Sequence, residues 1–289
     1  MKTIGRLVVE NPDNLWLRQW LLYSLKLQLS GHSLWNEQLR VLAQSQPNQP
    51  LIIAISGAQG SGKTSLAAAL QQLWALHSVQ SDVISLDDYY LEPEQRAKRS
   101  EVWHPLFAER GVPGTHDTEL LLSQITEFRQ GKAQAWRRYD KAIDRVGSCS
   151  APSSARLLIV EGWCLGLQAQ SEYHLASAIN SLEIQQDPDA IWRHKVNQQL
   201  ADLYQQIWLQ FDRLIWLNAP DWQAVCRWRA WQEQPLQQQG LGKSPAELEH
   251  FMLYFQRLTE ESWRQLPERA DFILTLDQQH QMTSLIPDE

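Results

Sequence analysis

The chain has 289 residues, 43% of them hydrophobic, which is enough to bury a full core in one large or two small domains. Its formal net charge of -7 argues against a nucleic-acid groove as the main working surface and directs attention to a small-molecule ligand. Three widely spaced cysteines, Cys149, Cys164 and Cys226, form no Cys-x-x-Cys pair and lack histidines at metal spacing, so they read as reduced thiols of a cytoplasmic protein.

In chain order, "MKTIGRLVVENPDN" has no apolar run of signal-peptide length, and "LWLRQWLLYSLKLQL" is interrupted by Arg18 and Lys26, so no membrane span is expected. Residues 12 to 46 read as one or two helices, and "SQPNQP" at 45 to 50 is a polar, proline-rich break. Residues 1–48 are therefore an expected helical extension ahead of a domain over 49–289. That domain opens with "LIIAIS", an apolar, β-branched strand, and "TSLAAALQQLWAL", a run of good helix formers.

Between strand and helix lies "GAQGSGKTS", Gly57 to Ser65, with the spacing of a phosphate-binding loop. Gly57, Gly60 and Gly62 let the backbone turn so that successive N–H groups, with Ser61 and Ser65 alongside, surround a polyphosphate. Lys63 would reach the β and γ phosphates as a point charge, and the Thr64 hydroxyl would join the coordination shell of Mg2+. Both stand at a helix N-terminus, where an anion is already favoured.

Farther along, "SDVISLD", "ARLLIVEG", "FDRLIWLNA" and "ADFILTL" read as further buried strands with helices between them, the pattern of a parallel sheet covered on both faces. Asp117 is placed to cap "TELLLSQITEFRQ", and Asp187 with Pro188 to open "DAIWRHKVNQQLADLYQQIW". "SPAE" at 244–247 is a capping box for "ELEHFMLYFQRLTEESW", and the glutamine-rich "QEQPLQQQG" reads as a loop or hinge. The tryptophans at 208, 216, 222, 228 and 231 are expected in the core.

The acids that follow the strands carry the chemistry. Asp87 and Asp88 end the second strand, where ligands of open α/β sheets bind, and one of them is placed to accept the proton of an attacking hydroxyl. Glu161 ends the third and would hold Mg2+ if strands one and three are neighbours. "RRYDKAIDR", Arg137 to Arg145, is a basic loop suited to an acidic acceptor. Arg227 and Arg229, with Lys243 beyond, stand on a helix that is able to close over phosphates.

Four segments, "GAQGSGKTS", "SLDDYYL", "ERGVPGTHD" and "RRYDKAIDR" followed by "IVEGWCLG", resemble the P-loop kinases of the D-glycerate 3-kinase type, relatives of uridine kinase, phosphoribulokinase and bacterial pantothenate kinase. With the "RWRAWQEQ" and "GKSPAELEHF" region the likeness spans residues 51 to about 276 in family order. It implies an α/β P-loop NTPase fold, three layers around a five-stranded parallel sheet in the order 2-3-1-4-5, with a lid near 227–243. It implies Asp87 as base and Glu161 as the magnesium carboxylate. Around the acceptor it implies Asp88, Tyr89, His116, Asp117, Tyr139, Lys141 and Arg145. The chain departs from the family at "YDKAIDRVGS", where "YDKS" and a glycine- and arginine-rich stretch are usual, and at Tyr89, where phenylalanine is usual.

The sequence thus points to an ATP- and Mg2+-dependent kinase for a small alcohol, with D-glycerate as first choice and a nucleoside, pantothenate or another sugar acid as alternatives. A GTPase switch is disfavoured by the absence of "NKxD" and "DxxG". An inactive nucleotide-binding relative acting through a partner is disfavoured by the presence of Lys63, Asp87 and Glu161.

Overall fold

The computed structural model describes residues 49–286 apart from 77–78, 239 and 241. The expected helical extension over residues 1–48 lies outside them. Strand β1 (Leu51–Gly57) is buried at every position, because helices cover both faces of the sheet it centres. Its residues divide by parity: Ile52 and Ala54 face one core, Leu51, Ile53 and Ile55 the other.

The remaining strands are β2 (Ser81–Ser85), a short hairpin of β3 (Tyr139–Asp140) and β4 (Arg145–Val146), then β5 (Leu157–Gly162), β6 (Arg213–Asn218), β7 (Phe272–Leu276) and β8 (Met282–Ile286). The main sheet runs β2-β5-β1-β6-β7-β8. Its first five strands pair in parallel, in the order the resemblance implied. The sheet is nevertheless six-stranded, not five-stranded: β8 turns back and pairs antiparallel with β7. "MTSLI" is short and follows the polar "DQQHQ", so it carries too little apolar periodicity to announce itself.

One core face is filled from helix α1 (Lys63–Leu76) by Leu66, Ala67, Leu70 and Trp74, with Ala224, Val225 and Trp228 from α5 (Trp222–Gln238). The other takes Leu121, Ile125 and Phe128 from α3 (Thr118–Arg129), Trp192 and Val196 from α4 (Ile191–Gln199), and Phe255 and Leu258 from α6 (Pro245–Gln265). Helix α2 (Pro93–Val102) stands outside these layers and buries only Arg96.

Capping is much as expected. Asp117 accepts from Leu120 N to start α3, and Ser244 with Glu247 forms the box that starts α6. Two expectations are corrected. Helix α4 begins at Ile191, after Ala190 in a left-handed conformation (φ 61°), with Asp187 accepting from Trp192 N and Arg193 N at 2.7 and 3.2 Å. The glutamine-rich segment is not a loop, since α5 continues to Gln238 with Pro235 inside it. Trp208, Trp216 and Trp228 are buried as expected, whereas Trp231 is 48% exposed. Among the described residues no helix is long and apolar enough to cross a membrane.

Candidate active site

Register places the site. Glu161 on β5 lies beside Ile55 on β1 and beside Ser85 on β2, so the carboxyl ends of three neighbouring strands deliver the phosphate loop, Glu161 and the Asp87 segment to one edge. The loop turns through left-handed Gly60 (φ 78°) and Gly62 (φ 93°) before α1 begins at Lys63. A Cβ at Gly60 would lie 2.8 Å from Trp228 Cβ and 2.9 Å from Arg229 N, so the loop rests directly on α5. A Cβ at Gly57 would lie 2.7 Å from Ser61 Oγ, itself buried without a partner.

Lys63 Nζ donates to the Ala58 carbonyl at 2.9 Å, and Thr64 Oγ1 donates to Glu161 Oε1 at 2.9 Å. Burial lowers the Lys63 ammonium pKa, partly opposed by the carboxylates of Glu161 and Asp87. Burial raises that of Glu161, opposed by Lys63. Among the described residues no three His, Cys, Asp or Glu side chains converge as a metal cage. One hydroxyl and one carboxylate in contact are instead a donor set that suits Mg2+ completed by phosphate oxygens and water.

Asp87 lies on the one-turn segment Leu86–Tyr89 that follows β2. Its carboxylate accepts from Tyr90 Oη at 2.7 Å and from Lys141 Nζ at 2.6 Å. Burial pushes this carboxyl up, but Lys141 and the Tyr90 hydroxyl outweigh it and hold it at about 2. Asp88 is occupied differently: it accepts from Ser85 N at 3.1 Å, Arg138 Nη1 at 2.8 Å and Tyr139 N at 3.3 Å, tying the β3 hairpin to the end of β2.

Tyr89 is fully buried, with its hydroxyl on Gln124 Oε1 at 2.6 Å, so Tyr90 is the tyrosine beside Asp87. His116 stacks on Tyr90 at 4.8 Å, and its Nδ1 lies 2.6 Å from the Tyr204 hydroxyl. Gly114 N also donates to that hydroxyl at 3.2 Å, and His116 Nε2 is buried with no protein partner. Burial holds the imidazole at about 3, hence neutral. Asp117 caps α3 and pairs with Arg137 at 3.0 Å.

Tyr139 donates to Asp144 Oδ1 at 2.8 Å and accepts from Arg96 Nη1 at 3.1 Å. Arg145 faces outward to Glu92 and Glu94 at 3.2 and 2.6 Å. Arg227 bonds to Gln278, and Arg229 pairs with Glu233 at 2.5 Å one turn along α5. Ser65 stands in the first turn of α1.

Sequence reasoning missed Tyr90, Arg96, Arg110 and Tyr204. Tyr90 was quoted within "SLDDYY" but not separated from its neighbour. Arg110 lies within "ERGVPGTHD", but its place is set by Asp144, 34 residues away, and nothing in the local sequence of Arg96 or Tyr204 marks them.

The phosphoribulokinase / uridine kinase family matches residues 52–190 of this chain. The uncharacterized kinase mug58 of Schizosaccharomyces pombe is 31% identical over 202 residues, covering 65% of this chain and 72% of that protein. This chain is a member of that family of P-loop kinases. The chloroplastic D-glycerate 3-kinase of Arabidopsis thaliana is 29% identical over 221 residues, 70% of this chain, though the chain spans only 45% of its length. The fold is also that of D-glycerate 3-kinase from Cryptococcus neoformans var. grubii, with a TM-score of 0.65 at 22% identity over 82% of this chain and 89% of that one.

Proposed function

We propose that this P-loop kinase transfers the γ-phosphoryl group of ATP to the hydroxyl of a small hydroxy acid, D-glycerate in the first instance. The observation that carries the reading is the meeting of Lys63, the Thr64–Glu161 contact and the Asp87–Lys141 pair at one sheet edge. The family supplies the kinase chemistry, and the Arabidopsis relative's name supplies the first acceptor to try.

In this reading the loop amides and Lys63 hold the phosphates, and Arg229, whose backbone lies against Gly60, turns its side chain from Glu233 toward them. Magnesium, held through Thr64 and Glu161, would neutralise charge on the β and γ phosphate oxygens. The acceptor oxygen bonds to the γ phosphorus as the bond from that phosphorus to the bridging oxygen breaks. ADP leaves with the electron pair, and the hydroxyl proton passes to Asp87.

A carboxylate held near 2 is a weak proton acceptor, so with Lys141 in place Asp87 orients the hydroxyl more than it deprotonates it. When Lys141 turns from Asp87 toward the incoming anions, the carboxyl rises and becomes a competent base. The neutral His116 imidazole leaves Nε2 buried and without a protein partner beside Tyr90.

The test is turnover with Mg-ATP and D-glycerate, L-glycerate, uridine, pantothenate and ribulose 5-phosphate in parallel, read by ADP release and phosphorus NMR of the products. Selective phosphorylation of D-glycerate is expected. Preference for uridine or pantothenate would overturn the acceptor, and no turnover with any of them would overturn the activity.

A further inference from the structure

The turn between β3 and β4 touches the site in two places with opposite charges. Lys141 donates to Asp87 at 2.6 Å. Three residues on, the Asp144 carboxylate takes Arg96 Nη2 at 2.5 Å on Oδ2, and both Arg110 and the Tyr139 hydroxyl, the latter at 2.8 Å, on Oδ1. One short turn therefore presents a proton donor to the Asp87 carboxylate and a carboxylate to a pair of guanidinium groups. A hydroxy acid presents the same two functions: an O–H and a carboxylate.

We propose that Arg110 and Arg96, with the Tyr139 hydroxyl, form the subsite for the acceptor's carboxylate, and that Asp144 is the chain's own carboxylate resting in it. This rests on the kinase reading above and adds the residues that select an acid over a neutral alcohol.

The arginines are the built half of the contact. Arg96 has 5% of its side chain exposed and is also held by the carbonyls of Leu91 at 2.6 Å and Ala108 at 3.1 Å. Arg110 lies 6.0 Å over the Tyr90 ring, whose hydroxyl is bonded to Asp87. The subsite is thus one aromatic ring away from the carboxylate that receives the hydroxyl.

Asp144 is the half that can yield. Its side chain is one-third exposed, it sits in a left-handed conformation (φ 54°), and its hairpin has only two residues in each strand, with Ile143 beside it 65% exposed. An incoming hydroxy acid displaces Asp144 from the arginines and Lys141 from Asp87 in one movement of the turn. A neutral alcohol has no carboxylate with which to replace the first contact.

Calorimetry with D-glycerate and with glycerol, with Mg-ADP and without ATP, tests this apart from catalysis. Wild type should bind D-glycerate and not glycerol. Arg110→Met should weaken D-glycerate about tenfold or more while leaving Mg-ADP affinity within about twofold, as loss of a charged hydrogen-bonded pair does. Asp144→Asn should tighten D-glycerate several-fold, because an amide competes poorly for two guanidinium groups. Weaker or unchanged D-glycerate binding in Asp144→Asn would mean that Asp144 only braces the hairpin, and the proposal falls. Equal binding of glycerol and D-glycerate by wild type, or binding of neither, would overturn it too. Should Arg110→Met melt early, Arg110→Lys keeps the charge without the fork and should give an intermediate loss. Failure of the kinase reading appears elsewhere, as D-glycerate that binds but is never phosphorylated.

Discussion

Replacing Lys141 by methionine keeps the apolar stem and removes the charge that holds Asp87 ionised. The Asp87 carboxyl stands at about 2 against an ordinary 3.8, a difference of about 2.4 kcal/mol at 1.36 kcal/mol per pH unit. The Lys141 side chain is 56% exposed, so screening by water reduces the pair's contribution to about 1 kcal/mol. Because the folded-state pKa is depressed, that contribution is complete above pH 3.8 and is lost as the pH falls through about 2. Without Lys141 the two largest contributions that oppose burial are gone, and the carboxyl moves up from about 2. The assay is kcat/KM between pH 4.5 and 8, where the acceptor's own carboxyl stays ionised. Wild type should keep Asp87 ionised throughout and show no acid limb from it. Lys141→Met should gain a limb that falls toward tenfold per pH unit at the acid end. An unchanged profile in the variant would refute both the pairing and the role given to Asp87.

Asp87→Asn should lower turnover by about a hundredfold or more with ATP affinity largely intact, read by steady-state kinetics and calorimetry; near-normal turnover would remove Asp87 from the reaction. Gly60→Ala forces a side chain into a left-handed position and onto the backbone of Trp228 and Arg229. It should cost about 2 kcal/mol or more, lowering Tm by roughly 4–8 °C, and should weaken ATP binding as well. Arg145→Ala removes surface pairs with Glu92 and Glu94, so acceptor KM should hold within about twofold with Tm little changed; a large rise in KM would return Arg145 to the acceptor site.

The phosphate loop was legible because its chemistry is local: glycines, lysine and hydroxyl act through their own backbone turn, and the flanking strand and helix identify themselves by composition. Glu161 was legible for a related reason, since a parallel sheet leaves few places for an acid at a strand end, and the β5–β1 register delivers it to Thr64. The acceptor side was legible only as a region. Which tyrosine of "YY" faces Asp87 depends on how Leu86–Tyr89 turns, and that turn is set by the Ser85–Asp88 capping box. Whether Arg145 or Arg110 approaches the site depends on which carboxylates meet them, Glu92 and Glu94 for the one and Asp144 for the other. Those partners lie 34 to 53 residues away in sequence, beyond any periodicity. Strand β8 escaped because an edge strand of five residues after a polar turn has no composition of its own.

The seating of Trp228 on Gly60 leaves no slack between helix α5 and the phosphate loop. A displacement of that helix by even an ångström must be answered by the loop's amides, and a change in the loop must be answered by the helix. Phosphate occupancy and helix position are in this way one mechanical variable. A reagent that grips α5 from its solvent side, where Trp231 is 48% exposed, should therefore change nucleotide affinity without approaching the nucleotide.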